Sequence, residues 1–381
     1  MKNLFCVFVS LVICVFSFNF TIVAESNQNI SISAKAYVLM EAKTGRVLYS
    51  KNADTKLPMA STTKIMTTLL CLESGGLDEE FVVDSEAIKV EGSTMGLTEG
   101  DVVTKRALCY GMLLPSGNDA ANAAAVKIAG SYENFANLMN ERAKEIGMTR
   151  TCFVTPSGLD APGHGSSAYD MALLAREALR NPEFREICSQ KKAKLRFGNP
   201  PYERWLTNTN KLLGLCPGVI GVKTGFTDAA GRCLVSACER NGVTLICVTL
   251  NASNDWQDHT ALYDNGFSLV NQKVLEQTED LTIDVVGSEV DSVTIGSEDK
   301  ITIGMIGDEF DKITTKAILP PFVYAPVTIG DEVGRLEFYY EDKYIDSIPL
   351  YMLESTELYE PKQNENKLEK IISKIKRALG M

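Results

Sequence analysis

The chain has 381 residues, 45% hydrophobic and 23% charged, with no low-complexity tract and no short-period repeat. That is an ordinary globular composition, long enough for a large catalytic unit and a smaller one. Acidic residues outnumber basic ones by 49 to 38, a net charge of −11 with a pI near 5.0, which argues against nucleic acid as the main partner.

The N-terminus, "MKNLFCVFVSLVICVFSFNFTIVAES", carries Lys2 and then an apolar run ending at Ala24. Residues 1–24 read as an export signal, with an uncleaved anchor as the alternative because the run is long enough to span a bilayer. Either way the bulk of the protein is expected outside the cytoplasm. Two of the ten cysteines lie in this segment, and the other eight fall between Cys71 and Cys247, several of them in apolar runs. They read as small core residues, with pairing of Cys233 and Cys238 as an alternative. No spacing resembles a zinc site, and neither a metal nor a cofactor is expected.

"AYVLMEAKTGRVLYSKN" is two alternating apolar runs around a Thr-Gly turn, a hairpin. A helix follows at Ser61, in "LPMASTTKIMTTLLCL". Helical periodicity continues from Leu108 with a break at Pro115-Ser116-Gly117, then in "YENFANLMNERAKEIGM" and "YDMALLAREALRN". From Val219 the pattern becomes strand, turn, strand, Asn241-Gly242 turn, strand, closed by a helix in "WQDHTALYDNGFSLV". Helices on an antiparallel sheet make residues 25–272 an α+β unit. Residues 273–357 show short alternating runs broken by Gly, Asp and Pro, a small all-β domain without a catalytic constellation.

The last segment, 358–381, is a linker and an amphipathic helix. Leu368, Ile371, Ile372, Ile375, Ala378 and Leu379 share one face, and Lys367, Lys370, Lys374, Lys376 and Arg377 lie largely elsewhere. This pattern suggests a helix lying flat on a membrane surface, with a docked or oligomerising terminal helix as the alternative.

The chain has only two histidines, His164 and His259, and no G-x-S-x-G elbow, so a histidine-based serine triad is disfavoured. S-x-x-K occurs at Ser61, Ser189, Ser297 and Ser373, but only Ser61 heads an apolar helix. Lys64 shares its face and can reach the Ser61 hydroxyl. A lysine forced to shed its proton there is a base for that hydroxyl; the alternative is a capping serine with a snorkelling lysine. Ser116-Gly117-Asn118 sits at the break between two helices, with a second S-x-N at Ser50-Lys51-Asn52. Lys223-Thr224-Gly225 lies within a strand, where Gly225 lets another backbone approach, whereas the second copy, Lys43-Thr44-Gly45, is a hairpin tip.

In this order the three motifs resemble those of the penicillin-binding and serine β-lactamase superfamily. "MASTTKIMT", "GSTMGLTEGD", "LLPSGNDAANAAA", "TPSGLDAPGHGSSAYDMALLA" and "GVKTGFTDAAGRCLVSA" are similar to the D-alanyl-D-alanine carboxypeptidases of low molecular mass, from about Ala34 to Val270. The resemblance implies the transpeptidase fold of that superfamily and a peptidoglycan stem peptide ending in D-Ala-D-Ala as substrate. It implies Ser61 as nucleophile and Lys64 as its base. The backbone N–H groups of Ser61 and Phe226 would form the oxyanion hole, Ser116 a proton relay, and Asn118 a clamp on substrate and Lys64. Lys223 and Thr224 would take the terminal carboxylate. β-Lactams would acylate the same serine, and the site would face the cell wall from the outer side of the bacterial membrane.

Asp170 matches an acidic position of the family, though it also reads as a helix-start cap. Two features depart from the family pattern: no arginine occurs between Arg240 and Arg335, and Phe226 stands where some relatives have a polar residue. A β-lactamase is the main rival, but the only Leu-Asn pair, Leu250-Asn251, has Cys247 where the deacylating glutamate would stand. A non-catalytic penicillin-binding sensor and an endopeptidase also stay open on the motifs.

Overall fold

The computed structural model describes residues 30–359 and 367–380. The expected export signal, 1–24, and part of the linker before the last helix lie outside the described residues.

The N-terminal unit contains the hairpin β1 (Ala36–Glu41) and β2 (Val47–Lys51), then α1 (Lys64–Glu73) and the short strands β3 (Glu80–Val82) and β4 (Val102–Thr104). Helices α2 (Lys105–Leu113), α3 (Asn118–Ala129), α4 (Tyr132–Ile146), α5 (Ala168–Ala178) and α6 (Pro182–Ser189) follow. A second hairpin, β5 (Lys192–Gly198) and β6 (Pro201–Thr207), and the short α7 (Leu212–Leu215) lead into β7 (Val219–Thr227), β8 (Gly231–Arg240), β9 (Val243–Leu250) and α8 (Asp255–Leu269). The five long strands form one antiparallel sheet in the order β2-β1-β9-β8-β7. Strands from the start and the end of the unit therefore meet in the sheet, and β7 is left on its rim.

Both faces of this sheet are covered, which is why its strands are near-continuous apolar runs. Successive strand side chains alternate sides. Val38, Met40, Val235, Ile246 and Val248 join the core under α1 and α5, while Leu39, Leu234, Leu245 and Cys247 join Leu262 and Tyr263 of α8. Asn241 and Gly242 take φ of 52° and 77°, the left-handed pair that a two-residue type I′ hairpin requires. The β5–β6 and β3–β4 pairs were not anticipated. On β5, Ala193, Leu195 and Phe197 alternate inward with exposed Lys192, Lys194 and Arg196, a strand pattern the sequence carries; on β6 only Leu206 is buried.

The reading of Cys233 and Cys238 as a pair is corrected. All eight described cysteines are free. Cys233 and Cys238 stand five residues apart on β8, so their side chains fall on opposite faces and enter different cores.

The remaining strands are β10 (Asn271–Leu275), β11 (Leu281–Val286), β12 (Ser292–Gly296), β13 (Ile301–Met305), β14 (Ile313–Ile318), β15 (Val323–Tyr324), β16 (Glu332–Tyr340) and β17 (Lys343–Met352). Six of them form a sheet ordered β14-β16-β17-β12-β11-β15, and β10 pairs with β13. They enclose their own core of Ile283, Ile295, Ile303, Phe338 and Leu350. β10 begins at Asn271, just ahead of the boundary expected at 272/273. Two ion pairs tie this β-domain to the first hairpin: Lys43 to Asp346 at 2.9 Å and Arg46 to Glu309 at 2.5 Å. The motif copy Lys43-Thr44-Gly45 thus belongs to a domain contact. The last helix, α9 (Lys367–Ala378), leaves Ile371, Ile372 and Ile375 exposed.

Candidate active site

The nucleophile motif folds slightly differently from its expected form. Ser61 lies in a 3₁₀ turn, Ala60–Thr63, and the α-helix starts only at Lys64. The turn is tight because Ala60 is left-handed (φ 49°) and the hydroxyls of Thr62 and Thr63 bond back to the Met59 and Ala60 carbonyls at 2.6 and 2.8 Å. Lys64 is completely buried (0% exposed), and its Nζ lies 2.9 Å from Ser61 Oγ. It also donates to Asn118 Oδ1 and to the Ser157 carbonyl, both at 2.6 Å. None of these partners is a carboxylate. Burial lowers the amine's proton affinity well below the ordinary lysine value, and the nearby charge of Lys223 adds to the effect against Asp119.

Asn118 reaches Lys64 because α2 and α3 are interrupted. Ser116 takes a left-handed φ of 67° and Gly117 caps α3, which places Ser116 and Asn118 on the cleft wall. Asn118 is held from behind by its Nδ2, which donates to the Glu91 carbonyl at 2.7 Å. The neighbouring Asp119 fastens the loop above. Its carboxylate accepts from Met95 N at 2.9 Å, Gly96 N at 3.1 Å, Leu97 N at 3.0 Å and the Thr94 hydroxyl.

On the opposite wall stands β7. Lys223 is 1% exposed and donates to the Thr224 carbonyl at 2.9 Å; burial pulls its pKa down to about 7. Thr224 Oγ1 shares a 2.7 Å hydrogen bond with Thr209 Oγ1. A side chain at Gly225 would place its Cβ 3.0 Å from the Met59 carbonyl and 3.1 Å from Ser61 N, so glycine lets β7 press against the nucleophile turn. Phe226 is 64% exposed and its side chain forms part of the rim. These elements bound a cleft of about 460 Å³ that brings together Ser61, Ser116, Asn118, Thr224, Gly225 and Phe226. A hydroxyl beside a buried amine, facing the rim strand of a sheet, is suited to acyl transfer.

The arginine missing from the expected interval is supplied elsewhere. Arg232, on β8 opposite Phe226, lines the cleft together with Lys211. Its Nε and Nη2 donate to Asp255 Oδ1 at 3.0 and 2.6 Å, and it stacks 5.3 Å from the Trp256 ring centroid. Sequence reasoning passed over Arg232, Thr209, Lys211, Ser157 and Asp119. Only the acid in the first turn of α3 carried a local signal; the others enter by long-range folding.

Both histidines are structural. His164 Nδ1 accepts from Val154 N at 3.0 Å, so its Nε2 carries the proton and faces Thr63 Oγ1 at 3.0 Å; burial lowers its pKa to about 4. His259 lies between the hydroxyls of Ser236 and Thr249, at 2.6 and 2.9 Å, and burial lowers its pKa to about 3. Asp170 is not the cap of α5: Ser167 fills that place, accepting from Asp170 N. The Asp170 carboxylate instead accepts from Arg150 N and Thr151 Oγ1 at 2.7 and 2.6 Å.

Gly158, beside Ser157, has a φ of 86°, and a Cβ there would lie 2.1 Å from the Ala60 carbonyl. Gly158→Ala is expected to push the Ser61 turn outward and slow covalent labelling of Ser61 by a fluorescent penicillin about tenfold or more, at a stability cost of roughly 1–3 kcal/mol. Labelling at the native rate would show that the turn is not seated on this glycine.

Residues 22–254 match the family model described as D-alanyl-D-alanine carboxypeptidase, and residues 262–358 match that of the penicillin-binding protein 5 C-terminal domain. D-alanyl-D-alanine carboxypeptidase DacF of Bacillus subtilis is 39% identical over 245 residues, a stretch covering 62% of this chain and 62% of that protein. DacC of Escherichia coli is 32% identical over 348 residues, covering 86% and 85% respectively. The crystal structure of penicillin binding protein 5 from Haemophilus influenzae superposes with a TM-score of 0.62 at 28% identity, covering 87% of this chain and 99% of that one. The match over residues 22–254, together with a hydroxyl and a buried amine facing a K-T-G rim strand, shows that the chain belongs to the D-alanyl-D-alanine carboxypeptidase family.

Proposed function

We propose that the protein is a serine-type D-alanyl-D-alanine carboxypeptidase that removes the terminal D-alanine from peptidoglycan stem peptides through an acyl-enzyme on Ser61. The observation that carries this reading is the environment of Lys64 Nζ. A neutral amine has two N–H bonds and one lone pair. Asn118 Oδ1 and the Ser157 carbonyl, both at 2.6 Å, accept the two N–H bonds, which leaves the lone pair for the Ser61 proton at 2.9 Å. As Ser61 Oγ bonds to the carbonyl carbon, its proton passes to Lys64. The C–N bond to the last D-alanine then breaks, and the departing nitrogen takes a proton relayed by Ser116. Water next attacks the acyl carbon and the Ser61 C–O bond breaks. The N–H groups of Ser61 and Phe226 are assigned to the oxyanion, and Asn118 to orienting substrate and amine. A β-lactam ring would open on the same hydroxyl.

The substrate's carboxylate is assigned to Lys223 and Thr224, with Arg232 as a further contact. Asp255 and Trp256 hold the Arg232 guanidinium in place, and its exposed edge opens into the cleft. We further read residues 25–272 and 273–357 as the catalytic and β-rich domains, in keeping with their separate cores. Among the described residues no helix is long and apolar enough to cross a membrane. The exposed apolar stripe of α9, flanked by Lys374, Lys376 and Arg377, supports a surface attachment outside the cytoplasm.

Ser61→Ala should abolish release of D-alanine from a peptide ending in D-Ala-D-Ala; sustained release would remove Ser61 as nucleophile. The pH dependence has two limbs. Lys64 works deprotonated, so kcat/KM falls as pH drops through its depressed pKa. Lys223 works protonated with a free-enzyme pKa of about 7, so kcat/KM falls again as pH rises above that value. Lys223→Arg should carry the alkaline limb upward, and an unmoved limb contradicts the assignment.

Arg232→Ala should raise KM about tenfold with little change in kcat. The same substitution should matter little for a substrate whose C-terminal carboxylate is amidated; an equal effect on both substrates would exclude carboxylate recognition. Ile371→Glu with Ile375→Glu should abolish sedimentation with anionic vesicles while soluble-peptide turnover persists. Retained sedimentation would assign attachment elsewhere.

A further inference from the structure

A second concavity, of about 390 Å³, opens where the end of α5 meets the β-domain. Its wall brings Lys43 from the β1–β2 turn, Arg176 and Arg180 from α5 and the residues following it, Arg185 from α6, and Tyr344 and Asp346 from β17. Four cations gather around one hollow in a chain whose net charge is −11. Their carboxylate partners only partly offset them. Lys43 pairs with Asp346 at 2.9 Å, Arg185 with Glu239 at 2.5 Å, and Arg180 with Glu177 at 3.3 Å, but Glu177 is shared with Arg142 at 2.6 Å.

Arg176 makes no ion pair among the described residues. Its Nε donates to the Ala42 carbonyl at 2.6 Å and its Nη2 to the Lys43 carbonyl at 2.5 Å. The guanidinium is therefore fixed and partly dehydrated; burial and the charge of Arg180 lower its proton affinity, against the smaller opposing effects of Glu41 and Glu177, and a bound anion would act in the same direction as those acids. Favourable placement at a helix C-terminus accounts for Arg176 and Arg180. Lys43 and Arg185, each held by a carboxylate, come from other elements and converge on the same space.

We infer that this interdomain hollow binds the phosphate group of a polymer or lipid, with Arg176, Arg180 and Arg185 on its oxygens and Lys43 and Tyr344 at its edge. The planar forks of arginine match phosphate oxygens in pairs. Because the wall is drawn from both domains, an occupant would brace the β-domain against α5, far from the chemistry at Ser61.

The test uses the full-length protein and inorganic pyrophosphate, followed by calorimetry. Saturable binding is expected, weakened about tenfold or more by Arg180→Glu and by Arg185→Glu. Lys127→Glu, on the exposed side of α3, should leave binding unchanged. Penicillin labelling of the variants should stay at the native rate, separating loss of binding from loss of fold. Displacement of pyrophosphate by a soluble glycerol-phosphate oligomer would assign a polymer, and displacement by phosphatidylglycerol vesicles a lipid. Absence of saturable binding, an equal loss with Lys127→Glu, or displacement by neither competitor would overturn the inference.

Discussion

A primary amine taken wholly out of water, with no carboxylate in contact, is the constraint around which this molecule is arranged. An ion pair would have restored the charge of Lys64 and removed its basicity. The nearest acid, Asp119, is instead occupied by main-chain N–H groups of the loop around Met95. The groups that do touch Lys64 are a hydroxyl, an amide oxygen and a peptide carbonyl, which satisfy an amine without charging it. Lys223, itself buried, adds a like charge from the facing strand and pushes in the same direction.

Enclosing that amine requires backbones to approach more closely than side chains allow. Gly225 brings the rim strand of the sheet against the Ser61 turn, and Gly158 brings the loop bearing the Ser157 carbonyl against Ala60. The left-handed turn at Ser116 adds the third wall. The place of β7 at the end of the sheet order leaves one edge unpaired, so an extended peptide can lie along it beside the nucleophile.

The distribution of positive charge is equally directed. In an acidic protein, Lys211 and Arg232 line one cleft and Lys223 is buried on the β7 strand that forms its wall. A second group of cations meets at the domain junction. The two domains are joined there by ion pairs from the first hairpin, so the motif copy on the β1–β2 turn is architectural, whereas the copy on β7 stands at the cleft.

Much of this was legible in the chain itself. The apolar helix containing a single lysine, the Ser-Gly-Asn break, the Asn-Gly hairpin and the amphipathic tail are local patterns, because backbone geometry and side-chain periodicity act over a few residues. The alternation of Lys192, Lys194 and Arg196 with Ala193, Leu195 and Phe197 in β5 is also a local pattern, but it was missed. The cysteine pairing at 233 and 238 failed for the opposite reason: proximity along a strand is not proximity in space. What the sequence alone determined was the chemistry on offer, a hydroxyl, two lysines and the turns that carry them. Only the tertiary structure decided that Ser157, Thr209 and Arg232 would join them, since their contacts connect residues 15 to 93 positions apart. The low proton affinity of Lys64, expected from its apolar helix, likewise depends on burial that only the surrounding elements complete.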